Sequence, residues 1–117
     1  ANIHSGWRST VQNITAATLT AMLFDPAASS AFLGPTIRAC CFEVGEEVAE
    51  QFDAQFVDRK LSPKPHVNVA AYTTAVLREH GIRNIIDTGL CTRCDGSIFH
   101  SYRREKHTGR NLAVVMT

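Results

Sequence analysis

The stretch Ile3-His4-Ser5-Gly6-Trp7-Arg8-Ser9-Thr10 reads as a strand end that turns at a glycine into a helix. Ile3 delivers a histidine, Gly6 turns the chain, and Ser9 or Thr10 is placed to cap the helix. Such strand-to-helix corners are where mixed α and β proteins gather ligand-binding side chains. From Thr10 to about Leu23, apolar Val11, Ile14, Leu19 and Met22 recur at helical spacing, with Pro26 just past the end. Upstream, Ala1–His4 reads as a strand joined part-way along its length.

Working outward, Ala31–Leu33 is a short buried strand that stops at Gly34-Pro35. Thr36–Val44 is β-prone and carries Ile37, Cys40, Cys41, Phe42 and Val44. Gly45 opens a second helix, Glu46 to about Phe56, with Val48, Phe52 and Phe56 on one face. The connection Asp58–Pro65 leads to a third helix capped by Asn68, with Val69, Tyr72 and Val76 pointing inward and Gly81 ending it. Arg83–Asp87 and Phe99–Arg104 read as strands, Lys106–Gly109 as a hairpin turn and Asn111–Met116 as a closing strand. The fold class is therefore α+β, a single layered domain over residues 1–117 with three amphipathic helices and five or six short strands.

Composition narrows the function classes. The chain has 117 residues, 44% of them hydrophobic and 20% charged, with a formal net charge of +1. That balance carries no footprint of nucleic-acid binding and no polybasic membrane anchor. No apolar run approaches a bilayer span, and the start lacks signal-peptide architecture. The four cysteines fall as an adjacent pair, Cys40-Cys41, and one Cys91-x-x-Cys94, a pattern better suited to a reducing compartment than to a disulfide scaffold.

Several residues are candidates for chemistry. His4 suits a metal ligand or general base, although a lone histidine without a partner at ligand spacing also reads as a polar strand-end residue. Cys91-x-x-Cys94 is half a zinc site or a redox pair by spacing. With no second C-x-x-C or H-x-x-H, structural loop cysteines are the simpler reading. Cys40 and Cys41 alternate along a strand, so one faces the core. Phe99-His100-Ser101-Tyr102-Arg103-Arg104 suits either base stacking with phosphate contact or a charged edge strand.

Four motifs together resemble the C-terminal half of the laccase-domain, or YfiH-type polyphenol oxidase, family. His4-Ser5-Gly6-Trp7-Arg8 resembles its H-A-G-W-R-G, and Gly34-Pro35-Thr36-Ile37-Arg38-Ala39-Cys40-Cys41-Phe42-Glu43-Val44-Gly45 its G-P-x-I-x-x-C-C-Y-E-V-G. Lys64-Pro65-His66-Val67-Asn68-Val69 occupies the family's D-L helix start. Cys91-Thr92-Arg93-Cys94, Phe99, Ser101-Tyr102-Arg103-Arg104 and Thr108-Gly109-Arg110 match its C-T-x-C…F-x-S-Y-R-R…T-G-R ending.

The resemblance implies a layered α/β/β/α fold with mixed sheets, shared distantly with bacterial deamidase toxins, in a cytoplasmic enzyme. It implies zinc-dependent purine nucleoside phosphorolysis or adenosine deamination, with a purine nucleoside and phosphate as substrates. Of three family zinc ligands only one is present, as His4; the resemblance puts the others in an N-terminal half, so the chain alone is expected to be inactive. Arg8 is the implied phosphate-gripping catalytic residue, and Tyr102, Arg103 and Arg104 the implied pocket lining. The resemblance places the cysteines outside the metal site. Two alternatives stand beside the enzyme: a non-catalytic relative or one chain of a split protein that self-associates or pairs with its missing half, and a copper-dependent polyphenol oxidase. Copper ranks last, because His4, His66, His80, His100 and His107 lack cluster spacing.

Overall fold

The computed structural model describes residues 1–116. In chain order the elements are α1 (Trp7–Val11), α2 (Ile14–Ala21), β1 (Ser30–Leu33), α3 (Glu46–Ala49), a 3-10 turn at Ala54–Phe56, β2 (Val57–Asp58), β3 (His66–Val67), α4 (Val69–Glu79) and β4 (Asn84–Asp87). β1 and β4 pair in parallel, Ser30 opposite Asn84 through Leu33 opposite Asp87. β2 and β3 form a short antiparallel pair. The class is mixed α+β, as expected.

Two apolar clusters hold these elements. Phe42, Val44, Val48, Ala49, Phe52, Val67 and Val69 form one, against which Trp7, Val11, Ile37, Val57 and Tyr72 pack. Leu19, Leu77 and Ile82 form the other, flanked by Phe24, Ala31, Leu33 and Ile85. α4 serves both, since Val69 lies in the first and Leu77 in the second. Its N-terminus is capped as expected: the Asn68 side chain accepts from the Ala71 N–H at 3.0 Å. Gly81, at φ +85°, ends the helix run in a conformation that suits glycine.

The single first helix is corrected to two. Asn13 takes a left-handed backbone, φ 57°, which asparagine tolerates, and its Oδ1 accepts from the Tyr72 hydroxyl at 2.9 Å. Nor do Ser9 and Thr10 cap α1. Gly6 is the N-cap, and both hydroxyls donate back to its carbonyl. The second helix is likewise shorter than read, its apolar face continuing through Phe52 and Phe56 without helical hydrogen bonds throughout. Phe52 and Phe56 still meet, each edge-on to Tyr72 at 5.4 Å.

The strands expected at Ala1–His4, Thr36–Val44, Phe99–Arg104 and Asn111–Met116 are not formed. A strand exists only through a partner's N–H and C=O groups, and among the described residues these stretches have no ladder. Thr36–Val44 keeps one bridge at each end, Thr36 to Cys91 and Glu43 to His66, and turns in between. Asn2 donates to the Ala113 carbonyl at 2.8 Å, and Asn111 exchanges two hydrogen bonds with the His100 backbone. Side chains thus do locally what a ladder does elsewhere.

Replacing Asn68 by Ala should remove about 1 kcal/mol of stability, whereas Asn68→Asp should stay within a few tenths, as read by urea unfolding. Equal losses for both would show that packing, not the cap, is what Asn68 supplies.

Candidate functional site

At the N-terminal corner, His4 and Arg8 are both exposed, four residues apart on either side of the turn into α1. The corner is held from beneath. Thr10, 2% exposed, donates to the Gly6 carbonyl at 2.8 Å and shares a 2.7 Å hydrogen bond with Ser5. Trp7 packs on the Phe42 cluster and carries the Arg8 guanidinium 4.5 Å above its ring. Arg8 is thereby aimed along the surface beside Trp7, Val11 and Gln51, which line a shallow cleft with it.

Tyr102 and Arg103 are exposed and Arg104 is half-buried, and both arginines also bond to the protein itself. Arg103 donates to the Glu43 carbonyl at 2.6 Å and lies over the Phe42 ring at 5.0 Å. Arg104 donates to the carbonyls of Thr92 (3.0 Å), Arg93 (3.3 Å) and Phe99 (2.7 Å), and pairs with Glu105. A guanidinium spent on three carbonyls staples the 92–99 loop. Arg103 and the Trp7–Arg8 pair do border the same apolar cluster, through Phe42.

The four cysteines, read as separate structural residues, are brought into one cluster. Cys40, Cys41, Cys91 and Cys94 place their sulfurs within 4.8 Å of one another. Cys40 and Cys41 do not alternate on a strand; they sit in a turn closed by the Cys41 and Phe42 N–H groups on the Arg38 carbonyl, so both sulfurs reach Cys94. The adjacent pair brings a second pair of donors beside Cys91-x-x-Cys94, which the sequence reading lacked.

Three tethers position the cluster. Thr36 and Cys91 bridge in parallel. The Arg38 guanidinium grips both carboxylate oxygens of Asp87 and donates through Nε to the Leu90 carbonyl at 3.2 Å. The Cys91 N–H donates to Asp95 at 3.1 Å, while Arg104 fixes the carbonyls of Thr92 and Arg93. On the far side His66, 6% exposed, uses Nδ1–H to hold the Ala39 carbonyl and accepts from Ser62 at Nε2, 3.1 Å. Desolvation raises the Cys91 thiol, but main-chain hydrogen bonds at Arg38, Cys94 and Arg93, with the Cys94 thiol, outweigh it and bring it down to about 6. Hydrogen bonds with Cys41, Cys91 and Cys40 push the Cys94 thiol up to about 12, and burial raises Cys40. Such a donor set can bind a metal.

The model of the family described as multi-copper polyphenol oxidoreductase laccase matches residues 1–117. The chain belongs to that family. It is 37% identical over 113 residues to a protein named adenosine deaminase RL5, from an unknown prokaryotic organism, covering 86% of this chain and 43% of the relative. Escherichia coli purine nucleoside phosphorylase YfiH is 34% identical over 119 residues, with 96% and 48% covered. A crystal structure of a Neisseria meningitidis protein superposes with a TM-score of 0.80 at 30% identity, over 87% of this chain and 45% of that one. The chain spans about half the length of the curated relatives it matches.

Despite the family's description, no histidine joins a group of three or more metal donors among the described residues. The donor group that the described residues do bring together is the cysteine cluster, which does not include His4.

Because Arg38 hydrogen-bonds Asp87, the Asp87 carboxyl is held below its ordinary value in the folded chain. The stability it adds is complete above the ordinary carboxylate range of about 4 and is lost as pH falls through the depressed folded value. Asp87→Asn should flatten that acid limb in thermal melts recorded from neutral pH downward. An unchanged limb would remove the pair from the account.

Proposed function

We propose that this chain serves purine nucleoside chemistry in the cytoplasm, as one half of a zinc-dependent phosphorolysis or deamination site. The observation that carries the reading is the likeness, across 86% and 96% of the chain, to proteins named adenosine deaminase and purine nucleoside phosphorylase. The exposed His4 and Arg8 on a braced corner support it. In this reading His4 is one zinc ligand, completed by donors outside these residues.

Phosphorolysis joins a phosphate oxygen to the ribose carbon as the bond to the base nitrogen breaks, and the base leaves with a proton on that nitrogen. Arg8 binds and orients the phosphate, its N–H groups meeting the oxygens and its charge offsetting theirs. In this reading the exposed Tyr102 lines the nucleoside side. Arg103 and Arg104 line the pocket with it in this reading, while also holding the Glu43 and 92–99 backbone.

A second observation supports one chain of a larger assembly. Phe32 and Ile86 lie opposite each other on β1 and β4, 68% and 52% exposed. Parallel sheets are ordinarily covered on both faces, and this face is open. The cover in this reading is the remaining half of the family's length, or a second copy.

With inosine and phosphate, the 117-residue chain alone should release no hypoxanthine, and the chain joined to the other half of the family's length should release it. In that complete form His4→Ala should abolish turnover, and Arg8→Gln should raise KM for phosphate roughly ten- to hundredfold. Hypoxanthine released by the isolated chain would overturn the two-half reading; an unchanged phosphate KM would remove Arg8 from phosphate binding.

A further inference from the structure

We propose that Cys40, Cys41, Cys91 and Cys94 form a closed four-thiolate zinc site, separate from the His4 corner, that clips the 38–42 turn to the 91–95 loop. A tetrahedron with zinc–sulfur bonds of about 2.3 Å has sulfur–sulfur edges near ~3.8 Å. The sulfurs stand at that scale: Cys40 to Cys41 3.7 Å, Cys40 to Cys94 3.8 Å and Cys41 to Cys94 3.3 Å, with all four within 4.8 Å. Moving each edge to the ideal needs shifts of about 1 Å or less, within reach of side-chain rotation.

A disulfide reading fits less well. All four cysteines are free thiols here, and bonding the adjacent Cys40 and Cys41 would strain the backbone. Soft thiolates select zinc over magnesium or calcium. Four protein sulfurs leave no open position, so the site is structural. Each thiol that ligates gives its proton to solvent, so the metal is held less tightly as pH falls.

The surroundings are those of a built site. The two cysteine pairs come from segments far apart in the chain, Cys41 and Cys94 being separated by 53 positions. Those segments are already fastened by the Thr36–Cys91 bridge, the Arg38–Asp87 pair and Arg104. Arg38 and Arg104 occupy the outer layer, orienting the backbone that carries the sulfurs. Cys91 is buried and Cys40 and Cys94 are exposed, so an ion enters from solvent and is backed by protein.

The test uses the 117-residue chain purified under reductant, with elemental analysis and cobalt(II) titration of the chelator-stripped protein. The expected result is one zinc per chain in both the parent and His4→Ala, and roughly tenfold less in the Cys40→Ser, Cys94→Ser double variant. Cobalt should give the parent thiolate-to-cobalt charge-transfer absorption with tetrahedral d–d bands, a readout that needs no substitution. A folded, reduced parent with neither zinc nor charge-transfer bands overturns the proposal. So does zinc lost in His4→Ala or kept in the double variant, iron in its place, or a disulfide among the four cysteines.

Discussion

The Arg38 guanidinium closed on Asp87 adds a second link between two apolar clusters that α4 already spans. Arg38 begins the turn that leads into Phe42 and Val44 of one cluster, and Asp87 ends the strand whose Ile85 packs against the other. The two oxygens of one carboxylate meet two nitrogens of one planar cation, a fit that a lysine cannot reproduce. The Arg38 side chain is only 15% exposed, which spares the pair much of the screening that weakens surface ion pairs. With the Thr36–Cys91 bridge and the bonds of Asp95 and Arg104, this contact sets the 38–42 turn against the approach to Cys91.

Arginine does similar duty twice more. Arg104 gathers three carbonyls from a loop with little regular structure, and Arg103 reaches the Glu43 carbonyl across the face of Phe42. A stretch with no ladder must satisfy its carbonyls some other way, and these side chains are that way. The cluster of aromatic and guanidinium residues in Ser101–Arg104 therefore owes its composition in part to architecture.

Helix α4 and the separate strands β1 and β4 were legible in the sequence, because Asn68, Gly81 and Gly34-Pro35 bound them by local chemistry; their parallel pairing was not, and β1, expected to be buried, leaves Phe32 68% exposed. The laccase-type motifs pointed to the family. The break at Asn13 was not legible: its left-handed backbone goes with a hydrogen bond from Tyr72, 59 residues away. Thr36–Val44 carried the β-prone residues of a strand, yet a strand's existence depends on a partner that local sequence does not name. That misreading hid the cysteine cluster: alternate sides of a strand separate Cys40 from Cys41, whereas a turn brings them to one side. His4 and Arg8 sat where the glycine turn suggested, but the capping was inverted, with hydroxyls donating backward to Gly6 instead of accepting forward.

The parallel pairing of β1 with β4 also governs how the chain can reach this arrangement. Ser30 and Asn84 meet across 54 residues, the same separation that divides Cys40 from Cys94. Closing a flexible loop of that span costs conformational entropy before any contact rewards it. The two closures are offset along the chain, so the first to form leaves only short segments to be ordered by the second. Strand pairing and sulfur clustering are thus both non-local closures, while α4 is built from neighbours in sequence.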